Sequence, residues 1–469
     1  MEVVRLAGLD LGLIVAGEAI LVGLGLVRTR RMALRYAGLS LIVGWAMTGV
    51  CASLAVEAGL PLTVATVVCL WVLIIGVSAV VMRRVPAWEG AVAMRETSHR
   101  GRVVSLLGGV LLAGVLFTLL RRALASGPLQ PDVWNFWLPR AKILFETGKL
   151  DTGVGGFTSF THAEYPPLVP VSDGTVFHFV GQEDVLLLPL QHWLLFLGFL
   201  GAGAGLLAHR VRPAILLPSL AGIAMLPMVD KLVGSLLADE PLAELFALAG
   251  VAAALWLLER EWRYAAVCGI LLAALPMTKN EGLMLGLALV VSLAAATKFR
   301  PRRTLIALVA VVVLAAVPWQ VWHWANDAPS QSDYRLGDIV RLGWLADRVD
   351  RLGIALQGLT EIILDPGRWL LTVPLVLLLA AVLRKSRPGL AAFVAGTIAL
   401  TFAAYLGIYW IGRLEIYFYL DSAGERVTAP IALFAAFLFP LLLAEAAAEA
   451  AEPHSADQVS ATRTAPGSP

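Results

Sequence analysis

Asp132, in the run PDVWNFWLPRAKILFETGKLD, is the first residue whose type and setting point to chemistry. Pro131 turns the backbone before it, so Asp132 can cap a helix expected over 134–145, with Trp134, Trp137 and Leu138 on one face. A carboxylate at a membrane surface is equally a general base, and the spacing leaves both readings open. Thirty residues on, HAEYPP brings His162, Glu164 and Tyr165 together. His162 and Glu164 are candidate metal donors, but two ligands do not make a site and no metal is assigned. Tyr165 precedes two prolines that stiffen the backbone, and its ring, like that of Trp137, suits stacking on a sugar. Three later positions complete the set. Asp239 lies in LLADEPLAE, where an acid pair before proline is also an ordinary helix start. Lys279 and Glu281 lie in TKNEG, and Arg426 in GERVTAP.

The elements that must position these residues are membrane spans. Hydrophobic residues make up 59% of the chain and charged ones 15%, with a mean hydropathy of +0.79, which excludes a soluble domain. A net charge of +2 gives no argument for a nucleic-acid partner. Cys51, Cys69 and Cys268 lie in apolar runs without CxxC spacing and are expected to be small buried hydrophobes. The first apolar run contains Asp10 and Glu18 and leads into further spans, unlike a cleavable signal.

An all-α bundle of about thirteen spans is expected. They fall at 6–27, 36–57, 61–82, 103–120, 185–208, 213–229, 241–258, 264–277, 282–297, 304–325, 369–383, 389–411 and 429–447. Those at 213–229 and 264–277 are short and expected to be broken or tilted. Arginine and lysine gather in alternate loops, around Arg28–Arg35, Arg83–Arg102, Arg210, Arg260, Lys298–Arg303 and Arg384–Arg387. The positive-inside rule puts these loops in the cytoplasm and the N-terminus outside, in a bacterial-type plasma membrane. The loops 121–184, 230–240, 278–281, 326–368 and 412–428 then share the outer face, and they hold every residue singled out above. Arg426 is marked by its place on that face just before the final span; Lys231 and Arg413 are further cations there. The loop 121–184 is too long and aromatic for a passive connector and is expected to be functional. The tail 448–469 is polar and expected to be disordered in the cytoplasm.

The order of these motifs resembles the GT-C superfamily of polytopic glycosyltransferases: a span, an outer loop with PDVWNFWLPRAKILFETGKLD and HAEYPPLVP, then LLADEPLAE, TKNEG, and GERVTAP before a last helix. Protein O-mannosyltransferases and lipid A aminoarabinose transferases belong to it. The resemblance covers 103–447 and leaves 1–102 as N-terminal spans without an assigned role. It implies a transferase that moves a hexosyl or pentosyl group from a polyprenyl-phosphate donor to an extracytoplasmic glycan, lipid or protein. In that family an acid of the first outer loop is the base or holds a divalent metal, which carries over to Asp132. Some members have paired acids there, whereas Val133 follows Asp132. The family's Asp near the start of a later span matches Asp239. Lys279 and Arg426 are expected on the leaving phosphate, with Glu164 as a further acid and Glu281, Tyr165, His162 and Trp137 lining the substrate. A lipid-linked donor needs no nucleotide domain, and the chain has no P-loop or dinucleotide glycine pattern. The rivals are a transporter or flippase of lipid-linked sugars and a non-catalytic scaffold. Against the transporter stand the missing internal repeat and an expected scarcity of ionisable groups deep in the spans.

Overall fold

The computed structural model describes residues 1–86, 88, 92–126, 130–329, 334 and 336–462. Seventeen helices of ten residues or more organise them, and no strand occurs among the described residues. In chain order they are α1 (Glu2–Gly23), α2 (Ala37–Glu57), α3 (Val64–Met82), α4 (His99–Ser126), α5 (Leu138–Thr147), α6 (Leu168–Val180), α7 (Leu188–Leu207), α8 (Pro213–Ala224) and α9 (Asp239–Glu259). Then come α10 (Trp262–Thr278), α11 (Glu281–Ala296), α12 (Arg302–Ala325), α13 (Val349–Leu364), α14 (Thr372–Val382), α15 (Pro388–Ile411), α16 (Ile416–Val427) and α17 (Ala429–Thr462). Pro128 and Arg335 lie outside the described residues.

Among the described residues nine helical stretches are long and apolar enough to cross a bilayer, and the chain is a multi-pass membrane protein. Each of the thirteen expected stretches falls on a helix, but α8, α10, α11 and α14 have only 10–17 residues, so the count of thirteen does not follow from length. The stretch at 213–229 is broken, as expected: α8 stops at Ala224, and Pro227 starts a separate short helix. The last helix departs from expectation. Its backbone stays helical to Thr462, through EAAAEAAE, whose alanines and glutamates favour helix over an unstructured tail. Residues 463–469 lie outside the described residues.

Helix α9 is the axis of the bundle: 94% of its apolar window is buried, against 11% for α4, which faces outward. It packs on α7, α10, α11, α15 and α17. Helices α1, α2 and α3 are not an appendage, because they pack on one another and on α6, and α2 also touches α7 and α10. Gly17 and Gly44 let α1 and α2 cross in backbone contact; a Cβ on Gly17 would meet the Ser40 carbonyl, and one on Gly44 the Leu13 carbonyl. Of the cysteines only Cys268 is buried; Cys51 is half-buried and Cys69 exposed, because α3 turns one side away from the bundle.

The basic loops meet at one end of the bundle. Arg210 contacts Glu259 (3.2 Å) and Glu445 (2.7 Å), Arg387 also reaches Glu445 (2.8 Å), and Arg35 donates to the Gly205 carbonyl (2.7 Å). The other end carries the loops of interest.

Candidate functional site

Five chain segments converge at that other end. The first begins with a helix that starts ahead of Asp132, so Asp132 already has helical backbone angles and makes no capping bond. This corrects the cap reading: the carboxylate is freed for tertiary use. Residues Val133–Trp137 form a π-helical turn, and its extra residue per turn changes the register. Trp137 and Leu138 become buried while Trp134 stays half-exposed, so these three residues do not share a face as expected.

The second segment, HAEYPP, is held by two buried donors. Arg140 of α5 is fully buried and donates through Nη2 to the carbonyls of Thr161 (2.9 Å) and His162 (2.5 Å). Burial lowers its pKa to about 10, opposed by the charges of Glu164 and Tyr165. Trp319 of α12 donates Nε1 to the Glu164 carbonyl (2.9 Å). Between these clamps His162 sits at φ 56°, a left-handed conformation that costs a non-glycine residue energy. The result is a stack of rings: Tyr165 lies parallel to Trp137 (5.5 Å, 5°) and to His162 (5.1 Å, 12°). His162 Nδ1 stands 3.7 Å from Glu164 Oε1.

The remaining three segments bring the charges. Asp239 starts α9, as its DEP pattern suggests. Lys279 is a single extended residue at the sharp turn between α10 and α11 (φ −158°, ψ 154°). Gly282 permits that turn, because any Cβ there would collide with the Leu275 carbonyl. Arg426 lies in the last turn of α16, a helix capped by Glu415 at Tyr417 and Phe418.

These groups form one continuous network. Arg426 Nη1 donates to Asp132 Oδ2 (2.7 Å) and lies 3.8 Å from Asp239 Oδ2. Lys279 Nζ contacts Asp239 Oδ1 (2.8 Å) and Glu281 Oε1 (3.6 Å), and sits 5.7 Å from the centre of the Tyr165 ring. Burial pulls the Lys279 ammonium down, but Asp239 and Glu281 outweigh it and hold its pKa above the usual lysine value. The network grades from closed to open. The Asp239 and Glu281 side chains are 5% exposed, whereas Arg426 is 19% and Asp132 35% exposed, so a ligand meets the Asp132–Arg426 pair first.

All nine residues singled out in the sequence therefore belong to one site: Asp132, Trp137, His162, Glu164, Tyr165, Asp239, Lys279, Glu281 and Arg426. The two further cations do not. Lys231 pairs with Glu425 (3.0 Å), and Arg413 with the buried Asp338 (2.7 Å). Sequence reasoning missed Arg140, Trp319 and His192. Arg140 lies in the same run as Asp132 but is one of several arginines in the loops on that face, and Trp319 and His192 lie in apolar runs that carry no local sign of their partners. Nor are ionisable groups scarce inside the bundle: Asp173, His192, Glu240 and Glu244 are all buried there. Among the described residues no group of three or more His, Cys, Asp or Glu side chains is arranged to hold a metal ion. Comparison with known protein families, characterised proteins and solved structures finds no match.

Proposed function

We propose that this protein is a GT-C-like membrane glycosyltransferase that moves a sugar from a polyprenyl-phosphate donor to an acceptor hydroxyl outside the cytoplasm. The observation that carries the reading is the convergence of Asp132, Asp239, Lys279 and Arg426, from segments almost 300 residues apart, on the end of the bundle opposite its basic loops. Under this reading the thirteen stretches span the inner membrane with the N-terminus outside and the C-terminus in the cytoplasm. The chemistry is a single displacement. The acceptor O–H gives its proton to Asp132 as its oxygen bonds to the anomeric carbon. The anomeric C–O bond breaks on the opposite face, and its electron pair leaves with polyprenyl phosphate, so configuration inverts. Lys279 and Arg426 hold the charge that develops on the leaving phosphate. His162, the most exposed ring of the stack, faces the sugar, while Trp137 is buried and backs the stack instead of lining the substrate as expected. No step is routed through a metal.

The resting pair between Asp132 and Arg426 gives the reaction an order. At rest Arg426 occupies Asp132 Oδ2. Donor phosphate competes for the guanidinium and frees the carboxylate to meet the acceptor hydroxyl only once donor is bound.

A transporter of the same lipid-linked sugars is the second reading, favoured by the buried carboxylates and histidine inside the bundle. The deciding experiment puts purified protein in vesicles with a radiolabelled polyprenyl-phosphate sugar and candidate glycan, lipid and protein acceptors. Transfer predicts free polyprenyl phosphate together with labelled acceptor. Movement of intact donor between leaflets without release of phosphate would instead establish the transporter.

A further inference from the structure

A second polar cluster lies behind the first. His192 of α7, Asp173 of α6, and Glu240 and Glu244 of α9 are each no more than 4% exposed. His192 Nδ1 is 3.2 Å from Glu240 Oε2, and Nε2 is 3.4 Å from Asp173 Oδ1. A neutral imidazole carries one N–H and one lone pair. With a carboxyl oxygen at each nitrogen, both contacts are hydrogen bonds: the ring donates at both ends, or it donates at one and accepts from a carboxyl O–H at the other.

The connections of the two carboxylates say what this achieves. Helix α6 begins three residues after Tyr165, and Glu240 directly follows Asp239. His192 is thus the tie between the segment carrying the aromatic stack and the helix carrying the buried acid. We infer that His192 is a positioning residue whose clamp on Asp173 and Glu240 sets the spacing between Tyr165 and the Asp239–Lys279 pair. Its surroundings keep the clamp dry but not sealed. A cavity with about 20 Å³ open to the centre of a water touches Asp173, Gln191 and His192, enough for one water. From α1 and α2 that cavity is faced by Leu9, Leu13, Trp45 and Thr48, which do not titrate, while Asp10 of α1 bonds to Gln191. Glu244, one turn beyond Glu240, has an oxygen with no hydrogen-bond partner, as does Glu240 itself.

Two measurements test this. The first needs no activity: ¹⁵N-histidine NMR of the full protein in lipid nanodiscs, with the His192 signal identified by its loss in His192→Gln. Hydrogen bonds at both ring nitrogens, with one lost in Asp173→Ala or Glu240→Ala, are expected; a His192 ring without them in the unaltered protein overturns the inference. The second rests on the transfer reading. In His192→Gln and Glu240→Gln, turnover falls by about 10- to 100-fold, because misplaced reacting groups lose rate steeply, while polyprenyl-phosphate affinity, set by Lys279 and Arg426, is little changed. Full turnover in both His192→Gln and Glu240→Gln would also overturn it. If the unaltered protein transfers no sugar, the transfer reading fails and the NMR measurement still decides the clamp.

Discussion

Arg426→Lys separates a phosphate contact from an ordinary ion pair. In the structure one guanidinium nitrogen serves Asp132 at 2.7 Å and approaches Asp239 at 3.8 Å. A lysine there keeps the positive charge and can still meet Asp132, whose side chain is 35% exposed. Folding stability should therefore change by less than about 1 kcal/mol, the range for partly exposed pairs. Phosphate binding behaves differently. Arginine offers a planar fork to two phosphate oxygens, and lysine offers a single mobile charge. Losing one charge-assisted hydrogen bond costs about 1.5–3 kcal/mol. At about 1.4 kcal/mol per decade this is a 10- to 100-fold weaker donor affinity. The assay pairs a thermal melt in detergent with titration of a polyprenyl-phosphate sugar into nanodiscs. Reduced affinity with an unchanged melt is the expected signature. Normal donor affinity and turnover in both Arg426→Lys and Lys279→Met would refute the phosphate site.

Asp132→Asn should lower turnover by ~10²–10⁴-fold, the usual worth of a general base. Its donor affinity should rise, because the competing carboxylate has left Arg426; unchanged turnover in a well-folded variant would move the base to Glu164 or Asp239. Lys279→Met leaves Asp239 and Glu281 buried without their near cation and should cost about 3–5 kcal/mol, read by thermal melt, with part recovered in Lys279→Met/Asp239→Asn. The pH dependence follows from the raised lysine pKa: the pair's contribution is complete below the unfolded lysine value and is lost only as pH rises through the folded one, so the difference between the two melts persists through neutral pH and narrows in strong alkali. Single cysteines at Gly155 and Ser422, in a background lacking Cys51, Cys69 and Cys268, should react with an impermeant thiol reagent from outside, and cysteines at Ser98 or Ser386 should not. Outside labelling at Ser98 would invert the orientation.

The site was legible because membrane topology performs part of the folding search. Once alternate basic loops fix which segments share a face, residues as distant as Asp132 and Arg426 are confined to one surface, and few charges on that surface can pair. Lys279 was conspicuous for the same reason, a charge in a turn with almost no loop. Geometry inside the loop was not legible. The π-turn at Val133–Trp137 depends on tertiary contacts that the run VWNFW does not announce, and it redirects Trp134 and Asp132 together. Nor could periodicity mark His192, whose neighbours Leu190, Trp193 and Leu195 read as an ordinary apolar helix while its partners lie 19 and 48 residues away.

The three N-terminal helices gain a physical role from what they touch. Arg5 donates to the Val180 carbonyl (2.6 Å), Gln182 to Glu2 (2.8 Å), and the Trp71 ring lies 5.5 Å from that of Phe179, so α1 and α3 fix the C-terminal end of α6. At its other end Leu168 rests on Gly49 of α2, where an added Cβ would stand 3.0 Å from Leu168 Cγ. Leu168 is three residues from Tyr165, so a push at Gly49 is transmitted to the aromatic stack. Apolar side chains gain nothing by leaving lipid for a helix interface, and shape complementarity is what holds such contacts. Overpacking is therefore a sharper probe than truncation. Gly49→Leu should cost about 1–3 kcal/mol and reduce turnover by displacing α6. Gly76→Leu on α3, where nothing lies within 4 Å of the added Cβ, should leave both melt and turnover unchanged. Equal turnover in the two variants would show that α1–α3 support the bundle without positioning the site.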